Sequence, residues 1–112
     1  MNLLSSVKNF NNSKLYFSNN ELSKILACYS LGVSLGSWKD YAICFGKQKT
    51  SFFMYKHSLA SPDCILTKSK KHKKNKKNII LYDLELSNKK KSKFNKIDDL
   101  IILLKRNEFR LL

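Results

Sequence analysis

The chain has 112 residues, 43% of them hydrophobic, enough for one domain that buries roughly two-thirds of its unfolded surface and too few for two. Twenty Lys and two Arg stand against eight acids, and the net charge of +14 exceeds what solubility requires and attracts any polyanion. The longest aliphatic run, Leu100 to Leu104, falls well short of the roughly 18–20 residues of a membrane span, and Leu3 and Leu4 ahead of Ser5 and Ser6 do not make the apolar segment of a secretory signal.

Residues 1–14, rich in Asn and poor in apolar anchors, read as a flexible lead-in. Leu15, Tyr16 and Phe17 offer a short first strand. Ser18 followed three residues later by Glu21 is a capping box, in which each side chain satisfies an orphan amide of a first helical turn. A helix over 18–35 follows: Leu22, Ile25, Leu26, Tyr29 and Val33 recur at helical spacing, and Gly36 supplies a left-handed stop. Tyr41, Ile43 and Phe45 alternate with Asp40, Ala42 and Cys44, and residues 50–55 run apolar after a four-residue connection, the pattern of a β-hairpin. Pairing Phe45 with Thr50 sets Ile43 against Phe52 and Tyr41 against Met54, so these five apolar residues share the core face. The other face carries Asp40, Ala42, Cys44, Phe53 and Tyr55, with Trp38 and His57 near its open end.

The turn signal at Ser61 to Asp63 precedes a strand at Cys64 to Thr67. Residues 68–78, with seven Lys and no apolar side chain, predict a mobile Lys-rich loop. Ile79 to Leu86 alternates as a strand with Ile80, Tyr82, Leu84 and Leu86 inward. A second basic loop at 88–93 leads to a helix over 96–106, with Asn95 as its cap and Asp98 and Asp99 where the helix dipole favours negative charge. Residues 107–112 read as a C-terminal tail. The expected domain is therefore 15–106, α+β, with an antiparallel sheet of about four strands and two helices packed on one face.

No constellation in the chain predicts catalysis. Cys28, Cys44 and Cys64 are odd in number and 16 and 20 residues apart, which suits neither a disulfide framework nor a zinc site, and implies a reducing, cytoplasmic setting. Cys28 and Cys44 read as small core or near-core residues. Asp40 and His57 at the strand edge suggest no more than a surface polar pair. The three glycines make no phosphate-binding loop, so no nucleotide cofactor is expected, and no metal.

What remains is a sheet face with Phe53 and Tyr55 flanked by Lys39 and Lys56, beside a loop with Lys70, Lys71, Lys73 and Lys74; Trp38 either joins that face or is structural, since a Trp at a strand start often packs under a helix end. Aromatics stack on unpaired bases while lysines hold phosphates, the logic of RNA or ribonucleoprotein contact. The same aromatics also suit an interface with a protein partner or a second copy. Phe, Tyr, Met, Ile, Asn and Lys together make up 53 residues, the signature of A/T-rich codons, so the lysine excess has a source besides selection for binding. With only two Arg, any such binding would be salt-sensitive and low in sequence specificity.

Residues 17–43, FSNNELSKILACYSLGVSLGSWKDYAI, resemble an alphaproteobacterial family, the domain of unknown function 2794, with the pattern F-x-x-x-E-L-x-x-I-L-x-x-Y-G-x-x-V-x-x-G-x-W-R-D-Y-A-I. The matching positions are Phe17, Glu21, Leu22, Ile25, Leu26, Tyr29, Val33, Gly36, Trp38, Asp40, Tyr41, Ala42 and Ile43, with Lys39 in place of the family's Arg. A weaker likeness continues through the aromatic strand, the turn around Pro62 and the final helix, and covers most of residues 15–106. The resemblance implies a cytosolic single-domain protein and no particular activity.

Overall fold

The computed structural model describes residues 14–57, 61–72 and 77–109. Helix α1 (Asn19–Ser34) is followed by strands β1 (Asp40–Phe45), β2 (Lys49–Tyr55), β3 (Cys64–His72), β4 (Asn78–Glu85) and β5 (Lys91–Phe94), and helix α2 (Ile97–Phe109) closes the order. The strands form one antiparallel meander, β1-β2-β3-β4-β5, with the two helices on one face: the α+β class expected, with five strands.

The helix begins where the capping box sets it. Ser18 Oγ accepts from the Glu21 amide at 3.1 Å and Glu21 Oε1 accepts from the Ser18 amide at 2.7 Å. It ends in a Schellman motif, with Ser37 N–H donating to Gly32 O (2.7 Å), Gly36 N–H to Val33 O (3.1 Å), and Gly36 at φ 78°. The hairpin register is the one expected: Phe45 faces Thr50, Ile43 faces Phe52 and Tyr41 faces Met54. Phe52, Met54, Cys64, Leu66, Tyr82 and Leu84 bury the helix-side face against Ile25 and Cys28 of α1 and Leu100 and Leu104 of α2. Ile80 and Leu86 pack against the same core, as their alternation implies.

Several expectations need correction. Residues 15–17 form no strand; their one ladder-like bond is Leu15 N–H to Gly46 O at 2.7 Å. The predicted loop over 68–78 is largely strand, because β3 continues to His72 and β4 starts at Asn78, each residue from 68 to 71 pairing with β4. The predicted loop over 88–93 is a tight turn and then β5. Lys89 there adopts φ 68° and donates its N–H to Leu86 O at 2.9 Å. The terminal helix, whose apolar run begins at Ile97 as read from the sequence, does not stop at Arg106 but continues to Phe109 through half of the expected tail. Tyr41 and Phe45, assigned to the core, are 43% and 38% exposed because β1 is an edge strand. Val33 is likewise exposed, and Cys28 and Gly32 are buried on α1 instead. The lead-in at 1–13 and residues 110–112 lie outside the described residues.

Candidate binding face

The sequence separates the two sheet faces by alternation, and the structure gives them different chemistry. On the helix side, the row Thr50, Lys68, Tyr82 and Phe94 runs across four strands. Lys68, expected in solvent, is 9% exposed, and its Nζ donates to Glu21 Oε1 at 2.7 Å and to Tyr16 O at 3.0 Å. Tyr82 OH donates to Glu21 Oε2. The carboxylate that closes the capping box thus also neutralises a buried ammonium, and each of its oxygens has a donor. Burial alone would raise the Glu21 carboxyl, but the bonds from Lys68, Tyr82 and the Ser18 amide outweigh it and hold the group below its ordinary range. Burial and the Glu21 carboxylate together push the Tyr82 hydroxyl up.

Trp38 also belongs to this side. It is 1% exposed, stacked on Tyr29 with ring centroids 6.2 Å apart, and met edge-on by Phe109 at 5.2 Å. Its expected place beside Phe53 and Tyr55 is therefore corrected: it packs beneath the end of α1, where Gly32 leaves room for its ring, and its Nε1 is buried without an acceptor among the described residues. Lys56 departs from the predicted patch too. Its amide donates to Asp63 Oδ2 at 2.6 Å, and its Nζ lies 3.7 Å from Glu108 Oε2 at the end of α2. Lys70 occupies a helix-side position opposite Ile80, and Lys39 is exposed before β1, its amide bonded to Tyr55 O at 2.8 Å.

The face on which no described helix packs keeps Phe53, Tyr55 and Lys71 from the predicted set. Phe53 is flanked by Ala42 and Ile65 and is half-buried, as is Tyr55. Across the centre runs a row of Cys44, Ser51, Thr67, Asp83 and Lys93, in which the Ser51 and Thr67 hydroxyls share a hydrogen bond of 3.0 Å. Beside it lies a shallow basin of about 420 Å³, floored by Ser51, Ile65 and Thr67 and rimmed by Lys49, Lys91 and Lys93. Asp83 Oδ1, on its wall, is buried with no hydrogen-bond partner among the described residues. Lys91 is tied to Glu85 at 3.6 Å, whereas Lys93 makes no ion pair with Asp83 opposite. These polar groups escape sequence reading because isolated Ser and Thr in alternating strands carry no motif. Lys73 and Lys74 lie outside the described residues.

The thiols offer little nucleophilic chemistry. Burial pushes the Cys28 thiol up to about 11, and burial with a bond to Glu108 (3.1 Å) raises that of Cys64 further. Cys44, expected near the core, is exposed on the edge strand. Asp40 binds the amide of its own neighbour, Tyr41, at 2.8 Å, and no bond to His57 is formed. Among the described residues no three His, Cys, Asp or Glu side chains gather as a metal site, and no helix is long and apolar enough to cross a membrane.

No curated protein and no solved structure matches the chain. The sequence profile of one family, described as Protein of unknown function (DUF2794), matches residues 15–96. The match takes in the Glu21, Lys68 and Tyr82 cluster, Trp38 and all five strands, and stops at the residue before α2. By that match over most of its length, the chain belongs to the DUF2794 family.

Proposed function

We propose that this protein is a non-enzymatic binding or adaptor protein of the cytoplasm whose helix-free sheet face docks onto RNA or a ribonucleoprotein assembly. The observation that carries the reading is that face itself: neighbouring Phe53 and Tyr55 stand half-exposed beside a polar basin rimmed by Lys49, Lys91 and Lys93, in a chain of net charge +14. Aromatic rings supply stacking without sequence preference, and lysines supply a diffuse attraction for phosphate. On the face proper, Asp40, Asp83 and Glu85 offset most of the charge of Lys49, Lys71, Lys91 and Lys93, so stacking carries contact and the surrounding lysines carry attraction. Three free cysteines support the reducing location.

A second reading, a protein interface on the same face, is favoured by half-buried Ile65 beside Phe53 and by half-buried Leu81 and Ile79 toward the other end of β4. Fluorescence anisotropy with a short single-stranded RNA of mixed sequence separates the two. Phe53→Ala is expected to weaken binding by ~1–3 kcal/mol. Replacing Lys49, Lys91 and Lys93 by Ala should flatten the logarithmic dependence of affinity on salt, by about 0.7 for each phosphate that is no longer neutralised. Absence of RNA binding even at low salt, together with recovery from lysate of a defined protein partner that resists ribonuclease, would establish the protein interface instead.

A further inference from the structure

The two edges of the sheet are not equivalent. β5 presents Lys91 and Lys93, both exposed, and lysine on an edge strand is a common device against edge-to-edge pairing. β1, at the other edge, has the sequence DYAICF with no lysine and no proline, in a chain that places twenty lysines elsewhere. Five of its six residues are exposed, and no described strand pairs with its outer side. The bond from Leu15 N–H to Gly46 O meets the chain only beyond its end.

We infer that this edge is where a second copy of the chain adds, β1 against β1 and antiparallel, to join two five-stranded sheets into one. Side-chain alternation restricts the register, because helix-side residues of one copy must face helix-side residues of the other if both pairs of helices are to share a face. With the two-fold axis at Ile43, Tyr41 of one copy faces Phe45 of the next, and Ala42 faces Cys44. The two large aromatics left 43% and 38% exposed then cover each other, and aromatic cross-strand pairs stabilise sheets. Each already has one aromatic contact within its own copy, Tyr41 stacking on Phe52 at 5.0 Å and Phe45 meeting Tyr16, outside the sheet, at 4.8 Å. On the opposite face only small side chains, Ala42 and Cys44, meet at the seam. The helix-free faces of both copies become continuous, with Phe53 and Tyr55 of each standing on either side of a low central strip. In this register Asp40 lies near Lys47 of the other copy, which tempers the approach of Lys39 to Lys47. This association is independent of whether the face binds RNA.

Sedimentation velocity of the full chain, from low to several hundred micromolar, tests the inference. The mass should rise from 13.0 kDa toward twice that value, and do so at lower concentration in ~0.5 M than in ~0.15 M salt, because screening relieves the mutual repulsion of two basic chains. Salt should act in the opposite direction on any RNA binding. Ala42→Lys, which gives the exposed edge the guard it lacks, should weaken association at least ~10-fold with an unchanged circular dichroism spectrum. Independently, an Ala42→Cys/Cys44→Ser chain mixed with wild type should oxidise to a covalent heterodimer, since directly opposed residues lie ~4.5–5.5 Å apart, within disulfide reach. A chain that remains at 13.0 kDa throughout, a dimer that withstands Ala42→Lys, or mixed cysteines that stay unlinked would overturn it.

Discussion

Glu21→Ala is expected to destabilise the domain by ~3–5 kcal/mol, the range for removing one partner of a buried charge pair. The change strands the Lys68 ammonium, leaves the Tyr82 hydroxyl without its acceptor and opens the Ser18 amide, all at the core. At roughly 4 °C per kcal/mol for a domain of this size, the melting temperature should fall by about 12 °C or more. Glu21→Gln keeps the shape and tests the charge. Because the folded carboxyl is held below its ordinary value of 4.5, its contribution is fully present above that pH and is lost as pH falls through the lower folded value. Urea unfolding of wild type and Glu21→Gln should therefore differ most near neutrality and converge in acid. A difference that stays constant with pH would assign the effect to packing alone. Lys68→Met/Glu21→Gln, which removes both charges, should recover part of the stability that either single change removes.

Trp38→Ala should cost a comparable ~3–5 kcal/mol, the range for emptying a fully buried aromatic site. The ring is enclosed by Tyr29, Phe109 and Gly32, and nothing in the cluster can close the space without moving α1 or the end of α2. Gly32→Ala attacks the same packing from the other side. An added Cβ would sit inside the van der Waals radius of the Trp38 ring, and overpacking of this kind costs ~1–3 kcal/mol. Thermal unfolding followed by circular dichroism reads both. The contrast with Phe53→Ala is the informative part: Trp38→Ala should reduce RNA binding only in proportion to the unfolded fraction, whereas Phe53→Ala should weaken it in a domain that stays folded. If Trp38→Ala melted like wild type, the enclosed position of the ring would be wrong.

The parts of this fold legible in the sequence are those written in short-range chemistry. The capping box needs only Ser18 and Glu21, the helix stop only Gly36, and the hairpin register follows from pairing Phe45 with Thr50. Trp38 is a harder case, since it precedes the first residue of β1, and strand parity cannot be counted back through a connecting segment. β5 is hidden because Lys-Ser-Lys-Phe carries a single apolar residue, and only β4 alongside makes it a strand. The widest departure concerns Lys68. Its surroundings in sequence are rich in lysine, and a run of like charge reads as solvated; what allows one of those lysines inside is an acid 47 residues earlier in the chain. Alternation is present there, with Lys68 in phase with Leu66 and Cys64, but a charged residue in an apolar phase has no meaning until its counter-charge is located. The binding face is legible in part: Phe53 and Tyr55 fall on the open side by alternation, whereas Ser51, Thr67 and the basin beside them depend on several strands meeting.

The first turn of a helix is ordinarily the place where a folded chain loosens first, since its amides are held by one local cap. Here Glu21, which closes the capping box of α1 from inside its first turn, is also bonded to side chains 47 and 61 positions later, on β3 and β4. Fraying that turn would require uncovering a charge in the middle of the sheet, so its amides open only when the strands do. Local and global unfolding thereby become one event at this end of the molecule, and the helix cannot reach its final stability during folding until the meander has closed as far as β4.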